Sequence, residues 1–428
     1  MGNSVTSTVL MSTALAGANV EEQRAVKRRL ARLHSIGRWK ALALVAPMFL
    51  FLMVVFLVPI AILLTRAVDN RDVATVLPKT RAAMVGWHAG DAPTPAIANA
   101  LVADLRSSPR ASVAEVAKRL NYYQAGLRSL MLKTAREVNA ADASSQDPLG
   151  ELRQIDEQWG EPAAWNIIQR ALPERTDFYL LAAVDLRRDA RGSIVGASDD
   201  NAIYRDVILR TFAISGSVML ICLVLGYPVA YWIATAPAAT SRKLMLLVLL
   251  PFWTSLLVRT TAWVVVLQSG GVVNSVLAWL GIVDPAQPVE LIHNRIGVLI
   301  AMTHILLPYM VLPIFSVMKS IPPNYMRAAA SLGAPPVSAF LRVYLPLTLP
   351  GVSAGGLLVF ILALGYYVTP ALVGGARDQM LSYFIEYFAS QVTNWGMAAA
   401  LSGTLLALVL ILYAVYHRIV GIDKLRMG

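Results

Sequence analysis

Charge is scarce in this 428-residue chain: Asp, Glu, Lys and Arg make up 15% of it, against about 25% in ordinary soluble proteins, while hydrophobic residues reach 57%. A soluble globular domain is excluded, and a membrane protein is indicated. Cysteine is nearly missing. Cys222 stands alone, so no disulfide forms within the chain, and nothing about redox compartment follows from it. There is no Gly-x-x-x-x-Gly-Lys-Ser/Thr phosphate loop, so the chain is not itself a nucleotide-driven motor. Acidic residues are absent from every long apolar run.

Those runs are 41–64, 207–234, 244–267, 296–318, 352–373 and 397–416. Each is long enough to cross a bilayer as a helix, which takes about 20 residues, and too long for a barrel strand. The expected fold class is an all-α polytopic membrane protein with six transmembrane helices. The formal net charge of +11 suggests nucleic acid until its location is considered. Residues 66–206 carry 18 Lys/Arg and 19 Asp/Glu, while the rest of the chain carries 19 and 7. The excess is therefore juxtamembrane, and no nucleic-acid partner is expected. It includes Arg24, Lys27, Arg28, Arg29, Arg32, Arg38 and Lys40 before the first run, and Arg242, Lys243, Lys319, Arg327, Arg342, Arg418, Lys424 and Arg426 on the same side if six spans alternate. By the positive-inside rule both termini are expected in the cytoplasm, with 66–206 outside.

The expected organisation is a basic cytoplasmic segment at 1–40, a first transmembrane helix at 41–65, an extracytoplasmic insertion at 66–206 and a five-helix core at 207–428. The first run exceeds a signal-peptide core and lacks a small-residue cleavage site, so it is expected to stay as a span. Met1 to Thr6 fits the myristoylation pattern, but such short patterns arise by chance and a six-span protein needs no lipid anchor. The insertion shows helical patterning at 96–106, 112–136, 148–159 and 162–172, while 176–188 fits helix or strand. Trp159, Trp165, Phe178 and Tyr179 suggest a compact module. Its only histidine is His88, and it offers no catalytic or metal spacing. Pro228, Pro308 and Pro313 suggest helices shaped around a cavity. The run 272–282 suggests an interfacial helix, and the aromatic-rich stretch 374–396 suggests an outer gate, a re-entrant segment or belt anchoring.

Between the fourth and fifth runs lies a polar, proline-rich segment, 320–351. Pro322 and Pro323 suit a helix start, a short helix is expected over 324–332, and Gly333 fits the position just past its end. Pro335 and Pro336 open a second helix with an apolar face of Val337, Phe340, Leu341, Tyr344 and Leu345, which Pro346 and Pro350 are expected to end before the fifth span. Ala328, Ala329 and Ala330 are expected to be exposed for close approach by a partner.

Arg327 through Gly333 to Pro346 resembles the EAA loop of ABC importer permeases: Ala328, Ala329, Gly333 and the closing Leu345-Pro346 match, with Val343 at the isoleucine position and Arg327 where the family has glutamate. Gly226-Tyr227-Pro228, Leu250-Pro251-Phe252-Trp253, Arg259-Thr260-Thr261-Ala262-Trp263 and Thr369-Pro370-Ala371-Leu372-Val373-Gly374-Gly375 are similar to its spermidine/putrescine branch. The resemblance covers 41–65 and 207–428, and the long insertion departs from it. It implies a type I importer permease fold whose coupling loop at 320–350 meets an ATPase through Arg327, Ala328, Ala329, Gly333, Arg342 and Pro346. It also implies a second permease chain, an ABC ATPase dimer carrying ATP and magnesium, and an extracytoplasmic substrate-binding protein, with no cofactor in this chain. An acidic group on the ATPase is expected to face Arg327.

Arg259 inside the third run is either a pathway residue or snorkels to the outer interface. Trp253, Trp263, Tyr309, Tyr366 and Tyr367 are the aromatics available to hold a cation. His304 reads as a packing or cavity residue. Gly351-Val352-Ser353-Ala354-Gly355 matches a hydrolase elbow, and Asp378 and His417 follow in order. With Asp378 on the opposite side of the bilayer from Ser353 and His417, the glycines read instead as close helix packing. A channel is the remaining rival; it would conduct without nucleotide.

Overall fold

A computed structural model describes residues 43–140, 147–189, 192–198 and 202–420. The expectations for the N-terminal tail and its basic helix lie outside the described residues. Among the described residues six helices are long and apolar enough to cross a membrane: Ala43–Thr65, Tyr204–Thr235, Leu256–Trp279, Arg295–Ser320, Pro336–Gly365 and Trp395–Arg418. They are called the first to sixth spans below.

The first span is a single apolar helix with a π-turn at Met53–Leu57, where the amide of Val58 donates to the carbonyl of Met53. Pro59 follows directly, and a proline ring crowds the carbonyl four residues back, so a widened turn relieves the clash. The fifth span repeats the device. A π-turn at Phe340–Tyr344 precedes Pro346, and the helix runs on from Pro336 to Gly365. The expectation that Pro346 and Pro350 end the second coupling helix is therefore corrected: coupling helix and fifth span are one continuous rod.

Two other expectations fail for a shared reason. The third apolar run is not one helix over 244–267 but Ala238–Leu249, a 3-10 turn at Leu250–Trp253, and a new helix at Leu256–Leu267. The Thr254 hydroxyl donates to the Pro251 carbonyl at 2.9 Å, and Ser255 Oγ caps the new helix by accepting from the Val258 amide at 3.3 Å. A turn at 268–271 separates it from Val272–Trp279, the short helix expected there. The fifth span likewise stops at Gly365 instead of reaching 373, and resumes as Val368–Val373 after the extended Tyr366. Pro370 has no amide to serve the Tyr366 carbonyl, which accepts instead from Ser382 Oγ at 2.6 Å. In both places polar or proline chemistry breaks a run that hydropathy alone reads as unbroken.

The second, fourth and fifth spans share one core, including Ile214, Val218, Cys222, Met302, Leu306, Met310, Ile314 and Val359. Of the spans from Leu64 onward the fourth is the most buried. The second and fourth stay helical through Pro228, Pro308 and Pro313. Glycines set the close approach. A Cβ on Gly351 would lie 2.9 Å from the Pro313 carbonyl oxygen, and one on Gly355 3.0 Å from that of Met310. Gly351 and Gly355 thus serve helix packing, as the rejected hydrolase reading requires.

The insertion has its own core, with Trp159 and Trp165 wholly buried and their rings 5.0 Å apart. The helix expected over 112–136 is two, Arg110–Asn121 and Leu127–Ala140. Gly126 adopts φ +98° between them, and the Asn121 side chain accepts from the amides of Gly126 and Arg128. The stretch 176–188 contains both options, a short helix at Phe178–Ala182 and a strand at Leu186–Arg188 paired antiparallel with Ile194–Gly196. Asp185, buried and at φ +57°, joins the insertion to the second span: its carboxylate accepts from the amides of Tyr204 and Arg205 at 3.0 and 2.7 Å. Those amides open the span's first turn, where no intrahelical acceptor exists.

Candidate functional site

Two groups of residues warrant attention, one on the coupling segment and one at the helix breaks. On the coupling segment the first short helix is Asn324–Ser331. The Gly333 amide donates to the Ala330 carbonyl at 2.9 Å and the Ala334 amide to the Ala329 carbonyl at 3.1 Å, with Gly333 at φ +81°. This pair of bonds is the Schellman closure, and the left-handed residue it requires is why glycine stands there. Arg327, Ala328, Gly333, Arg342 and Pro346 are exposed as expected, but Ala329 is buried against the segment itself and is not part of the outer surface.

The expected apolar face of the second helix divides. Phe340 and Tyr344 turn inward onto Tyr231, with ring centroids 5.5 and 5.6 Å away, and the Tyr227 hydroxyl lies 3.0 Å from that of Thr348. Val337 and Leu341 turn outward at 71% and 52% exposure, beside Leu332 at 89%. The segment is thus clamped by aromatics to the C-terminal end of the second span and presents a separate apolar surface. Arg327 makes no ion pair among the described residues. No acid lies within 320–351, so the surface is basic.

At the breaks, Thr260 and Thr369 meet with their hydroxyls 3.2 Å apart, joining the helix after the third-span break to the one after the fifth. Arg259 sits in the first turn of Leu256–Leu267, not inside an unbroken helix over 244–267 as the sequence suggested. That helix end carries positive partial charge and disfavours a cation. Nε and one terminal nitrogen of Arg259 are buried with no hydrogen-bond partner among the described residues. Trp263, one turn on, donates from Nε1 to His304 Nδ1 at 3.2 Å. Arg259 is within electrostatic range of His304 and of Tyr366, which in turn neighbours Tyr309. Phe252 stacks edge-on to Tyr309 with centroids 4.9 Å apart.

Of the expected pathway residues, then, Arg259, Trp263, Tyr309 and Tyr366 are brought together. Trp253, at 75% exposure, and Tyr367, at 40%, make no ring contact or side-chain hydrogen bond with the group among the described residues. Phe252 and the Thr260–Thr369 pair were not anticipated as site residues, although all three lie inside the motifs quoted from the sequence. The hydrolase candidates stay apart in their bonding: Ser353 donates to the Pro350 carbonyl in its own helix, Asp378 pairs with Arg295 Nε at 3.1 Å, and His417 neighbours Tyr413.

The family described as binding-protein-dependent transport system inner membrane component matches residues 223–420. The chain is 34% identical over 216 residues to the spermidine/putrescine transport system permease protein PotB of Escherichia coli strain K12, covering 50% of this chain and 78% of that protein. The Haemophilus influenzae PotB is 36% identical over 220 residues, covering 51% and 76%. The inner membrane ABC transporter permease protein YdcU of Escherichia coli strain K12 is 31% identical over 236 residues, covering 53% and 75%. Among solved structures, a bacterial alginate ABC transporter in complex with an alginate pentasaccharide-bound periplasmic protein aligns over 50% of this chain and 77% of its own, with TM-score 0.43 and 18% identity. The insertion at 66–206 precedes the family match.

Proposed function

The chain belongs to the family of binding-protein-dependent transport inner membrane components, and from that premise we propose that it forms the translocation pathway for a polyamine or related amine. It is a multi-pass inner-membrane permease subunit for a small solute that works with a binding protein; it is not an enzyme, and ATP is hydrolysed on another subunit. The observation that carries the polyamine assignment is the identity with two spermidine/putrescine permeases over three quarters of their length. The aromatic group at the breaks supports it, since Trp263, Tyr309 and Tyr366 are rings of the kind that hold a cation.

In this reading two permease chains and an ATPase dimer holding ATP and magnesium assemble in the lipid bilayer, with both termini cytoplasmic. The ATPases meet the coupling segment through Leu332, Val337 and Leu341, flanked by Arg327 and Arg342. Closure of the ATPase dimer presses on a segment that is continuous with the fifth span and clamped to the second, so both tilt together. Tilting opens the group at the breaks to alternate sides, an alternating-access cycle. The insertion caps the second span through Asp185 on the side where a binding protein delivers its load.

A second reading has one observation in its favour. The buried nitrogens of Arg259, unpartnered among the described residues, suit an anionic group, as an opine or a phosphonate would carry; a ferric-iron permease of the same family is the remaining alternative. A thermal-shift panel on the cognate binding protein separates these readings. Stabilisation by putrescine or spermidine is expected; stabilisation only by an opine, a phosphonate or ferric iron overturns the polyamine assignment.

A further inference from the structure

The stretch of the insertion over 178–185 touches two spans at once. At one end Asp185 accepts from the Tyr204 and Arg205 amides that open the second span. At the other the Tyr179 ring lies against Gly396 in the first turn of the sixth span, where a Cβ would overlap the ring. Only glycine permits that approach. The chain between the two contacts is braced by its own backbone: the Ala183 amide donates to the Tyr179 carbonyl at 2.9 Å, and the Asp185 amide to the Ala182 carbonyl at 3.1 Å.

Tyr179 is itself held. The Arg119 guanidinium lies 3.9 Å from its ring centroid and 5.7 Å from those of Tyr123 and Phe178, while Arg119 Nε donates to Asn70 Oδ1 at 3.0 Å. The ring cannot swing aside without uncovering a charge that three aromatic faces shield. Lys118, next to Arg119 on the helix Arg110–Asn121, adds a second tie by donating from Nζ to Thr393 Oγ1 at 2.8 Å. Thr393 adopts φ +53°, a conformation that β-branched residues rarely take, directly before Asn394, whose side chain accepts from the Met397 amide at 3.2 Å. The insertion thus grips the turn that sets where the sixth span begins. A cavity of about 170 Å³ opens beside this joint, lined among others by Asn70, Arg119, Tyr179, Thr393 and Gly396. The joint is therefore not packed solid, and Tyr179 and Lys118 carry it.

We propose that the insertion is a clamp that fixes the start of the sixth span to the start of the second, so that these two ends keep their separation while the opposite end of the second span follows the coupling segment. The second span, one helix from Tyr204 to Thr235, then works as a lever pinned at Asp185 and driven at Tyr227 and Tyr231. The lever rests on the proposed role of the coupling segment, whereas the clamp does not depend on it.

Pulsed dipolar spectroscopy on the full chain in lipid nanodiscs reads the clamp alone. Nitroxides are placed on Leu209→Cys and Leu406→Cys, both exposed, while Cys222 is wholly buried and stays unlabelled. A single narrow distance is expected. Lys118→Ala with Tyr179→Ala removes the joint and is expected to broaden the distribution about twofold or more. Leu180→Ala, an exposed position on the same short helix, is expected to leave it unchanged. Should Tyr179→Ala lower the melting temperature, Lys118→Ala alone decides: it removes one hydrogen bond, keeps the fold, and is expected to broaden the distribution measurably. In the assembled importer, a non-hydrolysable ATP analogue is expected to move the pair at Leu209 and Leu406 by less than about 2 Å, and a second pair, Trp232→Cys with Tyr413→Cys near the other ends of the same spans, by about 5 Å. The clamp is overturned if the joint variants leave the distribution unchanged, or if nucleotide moves the first pair as far as the second. If neither pair moves, the lever falls together with the driven coupling segment, and the clamp stands on the variants alone.

Discussion

Leu332, Val337 and Leu341 of the coupling segment stand 89%, 71% and 52% exposed, whereas Leu152, Trp159 and Trp165 of the insertion are wholly buried. Both regions lie outside the long apolar runs, and both are built from short helices punctuated by proline and glycine. The insertion uses its large apolar residues to make a core and leaves polar groups around a cavity. The coupling segment uses its aromatics to grip the second span and leaves aliphatic side chains outside. Grouped apolar exposure on a segment rimmed with cations is what a surface proposed to meet another protein requires, while the insertion closes its large apolar residues into a core of its own.

Breaking the contrast requires removing the outward aliphatics without touching the clamp. The double substitution Leu332→Asp and Val337→Asp is expected to weaken association with the ATPase by about 30-fold or more, measured by co-purification at graded salt. The melting temperature should stay within a few degrees, because neither side chain is packed. Normal assembly by this variant would erase the difference between the two regions.

A smaller effect is expected at the rod that carries motion inward. Gly355→Val places side-chain carbon against the Met310 backbone, where a Cβ already lies 3.0 Å from the carbonyl oxygen. A destabilisation of about 1–3 kcal/mol is expected in thermal unfolding, with ATPase association retained. The smallest effect belongs to Arg327→Glu. An exposed charge pair contributes about 0–1 kcal/mol, so ATPase affinity should change little and only at low ionic strength. A loss that persists in high salt would mean that Arg327 is buried in the assembled interface.

The coupling segment was largely legible in the sequence because its signals are local. Pro322-Pro323, Gly333 and Pro335-Pro336 each act on the backbone within a turn, and the Schellman closure at Gly333 forms as expected. The errors came where a local rule met a longer-range remedy. Pro346 leaves the helix intact because a π-turn absorbs the ring, and Ala329 is covered by the segment's own fold. The breaks at Thr254-Ser255 and Tyr366 were hidden because hydropathy averages over the single polar or proline residue that causes them. Of the pathway candidates, Arg259, Trp263, Tyr309 and Tyr366 converge because residues beside the breaks meet the unbroken fourth span, which no single-span pattern reveals. The Arg119 cavity was not legible: Asn70, Arg119, Tyr179 and Gly396 are far apart in sequence and meet only in the fold.

The central claim, that this chain is a permease driven from its coupling segment, is tested most directly by uptake into proteoliposomes. The chain would be reconstituted with its permease partner, its ATPase and its loaded binding protein, and labelled putrescine uptake measured with ATP present or absent on the coupling-segment side. Uptake only with ATP, abolished by Leu332→Asp with Val337→Asp, is the predicted result. Equal flux without nucleotide would identify a channel and contradict the account.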